Sequence, residues 1–206
     1  YTMGGLYTVY EAREDFKGME FGHPNNMMTN IPGLYAFGEV NYQYHGGTRL
    51  GANALLSCIF DGLFCGLSVH NYVTEQQTKA ADMPAALFQK YTDAEQAKVD
   101  KLINGKGEHN PYLLAREMGD IMTEHLTVVR KEEGMKQTLG KLKELKDNYR
   151  NMSLSDTGMW TNQTLSFARA LWDMLLYAEA ITLGAIERKE SRGSHYREDY
   201  TERNDD

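Results

Sequence analysis

Through most of the second half of the chain, apolar residues recur at three- and four-residue steps, the spacing that places side chains on one face of a helix. Leu87, Tyr91, Ala94, Lys98 or Val99, and Leu102 form one such stripe, and Asn104-Gly105-Lys106-Gly107 stops it. Pro111 opens the next segment as a first-turn proline, followed by Leu114, Met118, Ile121, Met122, His125 and Val129. Met135, Leu139, Leu142, Leu145, Tyr149 and Met152 define a third stripe, with lysines and acids on the opposite side. Residues 164–186 are the most apolar. Leu165, Ala168, Leu171, Trp172, Leu175, Ala178, Ile181 and Ala185 fall on one side there, which predicts the central helix of a bundle.

The first part of the chain has a different texture. Residues 1–10 are rich in Tyr, Thr and Val and predict a strand or hairpin arm, whereas residues 11–30 hold Gly18, Gly22 and Pro24 and predict a loop. After Pro32-Gly33, residues 34–38 form a short apolar run that predicts a buried strand ending on Glu39. A polar loop follows. Residues 50–73 are then apolar on nearly all sides and predict a buried helix that closes a first module. The reading is therefore mainly α, with a small α/β part over residues 1–74, a bundle of three to four helices over 75–189, and a charged tail over 190–206. That tail has almost nothing apolar to bury, so it is expected to be disordered or docked on a surface outside this chain.

Composition narrows the function classes. Hydrophobic residues are 41% and charged residues 25%, close to ordinary globular usage. A net charge of −7 disfavours nucleic acid, whose binding depends on clustered Lys and Arg. The apolar run around Ala54 to Val69 is interrupted by Asp61, so no span of a bilayer is expected. Cys58 and Cys65, seven apart on a helix, lie about 10 Å apart along its axis, too far for a mutual disulfide. Both are expected to be buried thiols in a reducing, cytoplasmic setting, and no Cys cluster suggests an iron–sulfur centre. His23, His70, His109 and His125 lack metal-site spacing, and Trp160 and Trp172 are read as core or interface aromatics. The opening Tyr-Thr-Met-Gly-Gly-Leu has neither an initiator Met nor signal-peptide order, and reads as the middle of a longer chain.

Residues 33–56 carry the candidate chemistry: an apolar run, an acid at its end, a His-Gly-Gly loop, an arginine, and a Gly-x-Asn start to an apolar helix. Glu39 can offer a carboxylate to a sugar-like hydroxyl, and a helix N-terminus offers unpaired N–H groups and partial positive charge to an anion. Arg49 can fork a carboxylate bidentately. A solvated acid, an ordinary helix start and a structural ion pair account for the same residues, and the residue types alone leave both readings open.

Four ordered blocks span nearly the whole chain: Tyr1-Thr-Met-Gly-Gly-Leu6, Ile31-Pro-Gly-Leu-Tyr-Ala-Phe-Gly-Glu39, His45-Gly-Gly-Thr-Arg-Leu-Gly-Ala-Asn-Ala-Leu-Leu56 and Glu190-Ser-Arg-Gly-Ser-His195. Together they resemble the signature blocks of the succinate dehydrogenase and fumarate reductase flavoproteins. The resemblance implies that residues 1–74 are the C-terminal segment of a Rossmann-like FAD-binding domain and that the helices are the family's C-terminal helical domain. It implies FAD as cofactor and a dicarboxylate substrate. Arg49 matches the arginine that clamps a substrate carboxylate, Gly51 and Ala52 the small residues under the dicarboxylate, and Glu39 the acid at the flavin's ribityl region. Asn53, Ala54 and Leu55 match the helix start against the flavin ring, and His45 lies either near the substrate or in a loop-holding role.

Departures are visible too. Gly47 and Thr48 stand where the family usually has Ala-Asn, and Ala54 replaces a serine, so a hydroxyl contact to flavin is lost. The family's catalytic-site histidine, glycine-rich nucleotide loop, covalent flavin histidine, proton-shuttling arginine and capping domain all fall upstream of these blocks. The implied parent enzyme belongs to electron transport and the tricarboxylic acid cycle. Its implied partners are the upstream part of the flavoprotein, an iron–sulfur subunit and a membrane anchor subunit, which would place it at the inner face of the cell membrane. The residues of this chain alone are expected to be inactive. A related FAD-dependent oxidase such as L-aspartate oxidase, or a stand-alone helical interaction module, are the alternatives.

Overall fold

The computed structural model describes residues 5–41, 43 and 45–205. Tyr1 to Gly4, which carry the start of the predicted arm and of the first signature block, lie outside the described residues, as do Tyr42 and Tyr44. The architecture is mainly α, with five α-helices among the described residues, and it divides into two compact units, Tyr1–Met83 and Pro84–Asp206.

In the first unit, helix α1 (Asn53–Glu75) is the one long element. A small core of Met27, Phe64 and Cys65 forms against it, flanked by Tyr10, Met19, Tyr35 and Val69. The chain that covers α1 is irregular and is held by buried amides. Asn26 accepts from the Glu11 N–H and donates to the Glu20 carbonyl, and Asn41 donates to Thr8 Oγ1. The predicted buried strand at residues 34–38 is not formed as such: Tyr35 makes a single antiparallel bridge to Met28, Ala36 is buried, and Leu34 and Phe37 are exposed. Gly33 (φ +82°) and Gly38 (φ +71°) turn the backbone at both ends, which leaves no length for a ladder.

Nor is α1 buried all round. Its inward stripe is Ser57, Asp61, Phe64, Cys65 and Ser68, while Leu55 and Leu63 are 76% and 77% exposed and Leu56 and Ile59 also face outward. One face has cover within the unit and the other has none. For the same reason Cys58 is exposed, contrary to expectation, whereas Cys65 is buried under the Met27 cluster. Burial, with Asp61 nearby, pushes the Cys65 thiol pKa up and makes it unreactive. By length and composition α1 is apolar enough to cross a membrane, against the sequence expectation; of its two acids, Asp61 is buried in the unit and Glu75 is the last residue of the helix.

The second unit is the bundle. Helices α2 (Ala85–Ile103), α3 (Pro111–Leu126), α4 (Glu132–Arg150) and α5 (Gln163–Glu187) follow in order, and α3, α4 and α5 pack on one another around Leu114, Leu142, Leu145, Leu171 and Leu175. Asn110 caps α3 through the N–H groups of Tyr112 and Leu113, with Pro111 in its first turn, and Asn162 caps α5 at Leu165 N–H. Along α5 the predicted inward face holds except at Ile181, which is 40% exposed, while Thr182 turns inward and donates to the Ala178 carbonyl. Helix α2 contacts α5 and buries none of its residues, so its predicted stripe of Leu87 and Tyr91 stays exposed.

The tail differs most from expectation. Strand β2 (Tyr196–Arg197) pairs in parallel with β1 (Val129–Arg130), and Arg197 is 0% exposed. Its Nη1 donates to the carbonyls of Ala185, Ile186 and Arg188, at the end of α5, and Asp199 takes Nε and Nη2 at 2.8 and 3.0 Å. A helix leaves its last carbonyls without intrahelical partners, and one guanidinium satisfies several of them. The tail docks through a buried cation rather than an apolar patch.

Candidate functional site

The residues singled out between Glu39 and Leu55 converge on the N-terminus of α1. Glu39 sits in a 3₁₀ turn, Gly38–Val40, that packs against α1 and exposes the Glu39 carboxylate. The turn is fastened from the helix: the Gly38 N–H donates to Asp61 Oδ2 at 2.7 Å. A Cβ at position 38 would come within 2.8 Å of Cys58 Sγ, so glycine is required both by the contact and by its positive φ.

His45 lies in the loop that leads to Arg49, and its Nε2 is 3.2 Å from Ser57 Oγ, in the first turns of α1. The Ser57 hydroxyl proton is directed to the Ala54 carbonyl at 2.9 Å. Ser57 therefore accepts, and His45 Nε2–H donates. Arg49 is half-buried, with Nη1 donating to the Leu50 carbonyl at 3.3 Å.

Ala52, the N-cap of α1, has φ +64° and ψ −8°, a left-handed conformation that costs a non-glycine residue roughly 1–2 kcal/mol. No side chain caps the helix, and Gly51 and Ala52 are exposed, with open space around the position a Gly51 Cβ would take. First-turn N–H groups of Ala54 and Leu55 thus present an uncapped, positively polarised end beside Arg49 and small residues. That arrangement fits an electron-rich ring edge or a carboxylate. It fits one edge of a flavin, which becomes anionic at N1–C2=O on reduction. The chain contains no G-x-G-x-x-G turn for a pyrophosphate, so the fit covers the ring and ribityl side and not the dinucleotide. Among the described residues no group of three His, Cys, Asp or Glu is disposed to hold a metal ion.

Sequence reasoning found the outward residues and missed those behind them. Ser57 and Asp61 are polar residues four apart on one face of an otherwise apolar helix, and that spacing was the available signal. In the sequence Asp61 reads only as an interruption of the apolar run.

Residues 115–206 match the family model described as fumarate reductase flavoprotein C-term. Over all 206 residues the chain is 41% identical to the succinate dehydrogenase flavoprotein subunit of Bacillus subtilis. The chain belongs to the succinate dehydrogenase and fumarate reductase flavoprotein family. Within this family the fumarate reductase flavoprotein subunit of Haemophilus influenzae is 32% identical across the whole chain. The chain spans about a third of the curated relatives' length, 33% of the Bacillus protein and 31% of the Haemophilus one. Among solved structures, the Mycobacterium smegmatis Sdh1 complex in the apo form superposes with a TM-score of 0.76 at 32% identity, over 84% of this chain and 28% of that one. The family's helical domain and the bundle of Pro84–Asp206 are the same mainly α architecture.

Proposed function

We propose that this chain is the C-terminal third of a flavoprotein subunit that interconverts succinate and fumarate with FAD and passes electrons to an iron–sulfur subunit. The observation that carries the reading is the uncapped start of α1 behind the strained Ala52, flanked by Arg49 and by the Glu39 turn fastened to the same helix. Whole-chain identity to succinate dehydrogenase and fumarate reductase flavoproteins supports it.

The flavin, when bound, supplies the hydride chemistry at its N5, and the protein positions it. Arg49 forks one carboxylate of the dicarboxylate and fixes its orientation by two parallel N–H···O bonds. The backbone at Gly51 lets that carboxylate approach closely, because the position its Cβ would take is open, and at Ala52 only a methyl group stands beside it. First-turn N–H groups at Ala54 and Leu55 stabilise negative charge at the ring edge, and Asn53 lies at the same helix start. Glu39 accepts from ribityl hydroxyls. His45 holds the loop in register with α1. By the family resemblance, the subunit sits at the inner face of the cell membrane through a membrane anchor subunit.

In the full-length flavoprotein, Arg49→Lys is expected to leave the flavin absorption in place and to cut succinate turnover by about two orders of magnitude, since a compact ammonium does not reproduce the two-pronged clamp. Wild-type turnover in that variant removes Arg49 from the site. Faster turnover of L-aspartate than of succinate in the unmodified protein moves the reading to an amino-acid oxidase. The 206-residue chain by itself is expected to bind FAD weakly or not at all, and a stoichiometric yellow preparation overturns that expectation.

A further inference from the structure

We propose that Ser57 and Asp61 are positioning residues for the candidate site: from successive turns of the buried face of α1, they fix the Arg49 loop and the Glu39 turn relative to the helix N-terminus. The functional half of this inference rests on the flavoprotein reading above.

Asp61 is the only charged residue of α1 before Glu75, and it is 0% exposed. A carboxylate withdrawn from water costs several kcal/mol unless it is well satisfied, so a helix built only for packing would carry an apolar residue here. What Asp61 does instead is reach the Gly38 N–H at 2.7 Å. That bond holds a left-handed backbone position that lies against Cys58, three residues earlier on the same helix. The next residue along the chain is Glu39. Its direction therefore follows from the Asp61 contact and from Asn41, whose N–H returns to the Gly38 carbonyl and closes the turn.

Ser57 performs the second fastening. Its Oγ receives the His45 Nε2–H at 3.2 Å while its own proton is held by the Ala54 carbonyl, so donor and acceptor roles are both fixed. His45 is thereby a tether for residues 45–49, which end on Arg49. Ser57 and Asp61 are one turn apart, and side chains four apart on a helix share a face. A rigid element thus sets both ligand-bearing segments, which matters because displacement of a binding group by about 1 Å can cost on the order of a hundredfold in rate.

Two measurements test this. Amide hydrogen exchange on the 206-residue chain reads the fastening itself: Asp61→Ala is expected to speed exchange at Gly38 about tenfold or more, and Asp61→Asn, which keeps an acceptor oxygen, to restore protection. Should Asp61→Ala fail to fold, Asp61→Ser, whose hydroxyl is too short to reach Gly38, takes its place. In the full-length flavoprotein, Ser57→Ala is expected to weaken malonate binding, followed by perturbation of the flavin spectrum, about tenfold at unchanged flavin content, with Ser57→Thr restoring it. Asp61→Ala or Asp61→Ser is expected to lower flavin content. Unchanged exchange at Gly38 overturns the fastening, and unchanged malonate affinity and flavin content in the variants reduce both residues to packing. A wild-type protein that holds no flavin overturns the flavoprotein reading instead, and with it the site that these residues would position.

Discussion

Arg130 Nη1 lies 2.7 Å from His195 Nδ1, and because a guanidinium only donates, Nδ1 is the acceptor. His195 Nε2 therefore carries the proton and donates it to the Arg188 carbonyl at 2.9 Å. The neutral imidazole is the only state that satisfies both contacts. Burial is the first cause that pushes the His195 pKa below its ordinary value, and the neighbouring cations Arg130, Arg188 and Arg197 act in the same direction.

A pH dependence with a defined sign follows. Because the folded pKa is depressed, the unfolded chain binds the proton more readily, so stability is fully present above the unfolded value near 6.5 and is lost as pH falls through the folded one. The urea midpoint of the chain is expected to decline on the acid side of 6.5, and His195→Gln is expected to flatten that decline. Glu190, held at about 2 by Arg188 and the Asn204 N–H, and Asp199, held at about 2 by Arg197, contribute their own losses only below about pH 5. The histidine window is thus separate. An unchanged midpoint between pH 7.5 and 5 excludes this account.

Arg197 is the larger stake in the same region. Removing it takes the guanidinium donor from the carbonyls of Ala185 and Ile186 and from the Asp199 carboxylate, which keeps the Glu132 N–H, and leaves the Arg188 carbonyl with His195 alone. Breaking one side of a buried pair costs about 3–5 kcal/mol, so Arg197→Ala is expected to shift the unfolding midpoint by that much. Arg203, exposed and, among the described residues, paired with Asp205 alone, serves as the control, with Arg203→Ala within about 0.5 kcal/mol of the parent.

The contrast between these arginines marks what was legible in the sequence. Periodicity located α2 to α5, and the Gly-rich stop after Ile103 and Pro111 at the start of α3 agree with where the helices end and begin. Signature blocks led to the family. What a pattern of apolar residues does not encode is docking through a single buried cation, so the sequence predicts a tail that is disordered or docked outside this chain, although Arg197 is among the most buried side chains. The same limit applies at the candidate site. Glu39 and Arg49 stand out as charged residues beside glycines, whereas the roles of Ser57 and Asp61 depend on contacts with residues 12 and 23 positions away. An apolar sequence predicts burial of α1 on all sides, whereas only the face of Ser57, Asp61, Phe64, Cys65 and Ser68 has cover within the unit.

Glycine positions offer a test of packing that is independent of charge. At Gly107 a Cβ would fall 1.9 Å from the Asn151 carbonyl oxygen, and that backbone is held by the Gly107 N–H bond to Met152. Neither side is the far end of a flexible side chain. Gly107→Ala is expected to destabilise by about 1–3 kcal/mol, the usual range for overpacking. Gly140, exposed in the middle of α4 with nothing near its Cβ position, should behave oppositely, with Gly140→Ala stabilising by about 0.5–1 kcal/mol. Chemical denaturation of the two variants reads both signs.

Residues 84–206 are expected to fold cooperatively without the preceding unit. Their core is assembled from within: Leu114 of α3, Leu142 and Leu145 of α4, and Leu171 and Leu175 of α5 are all buried, and each large side chain fully buried contributes about 1.5–3 kcal/mol. The tail adds Arg197 and the β1–β2 pair, whose two strands both belong to this unit. Residues 5–48, by comparison, are joined by isolated bridges and loop contacts around a core of three buried residues. Amide exchange on the 206-residue chain should show slow exchange through residues 164–186 and fast exchange through residues 5–48. A truncated chain beginning at Pro84 should unfold in one transition with those same α5 amides protected. Loss of that protection on truncation, or uniform protection across both units in the longer chain, would show that the two fold as one.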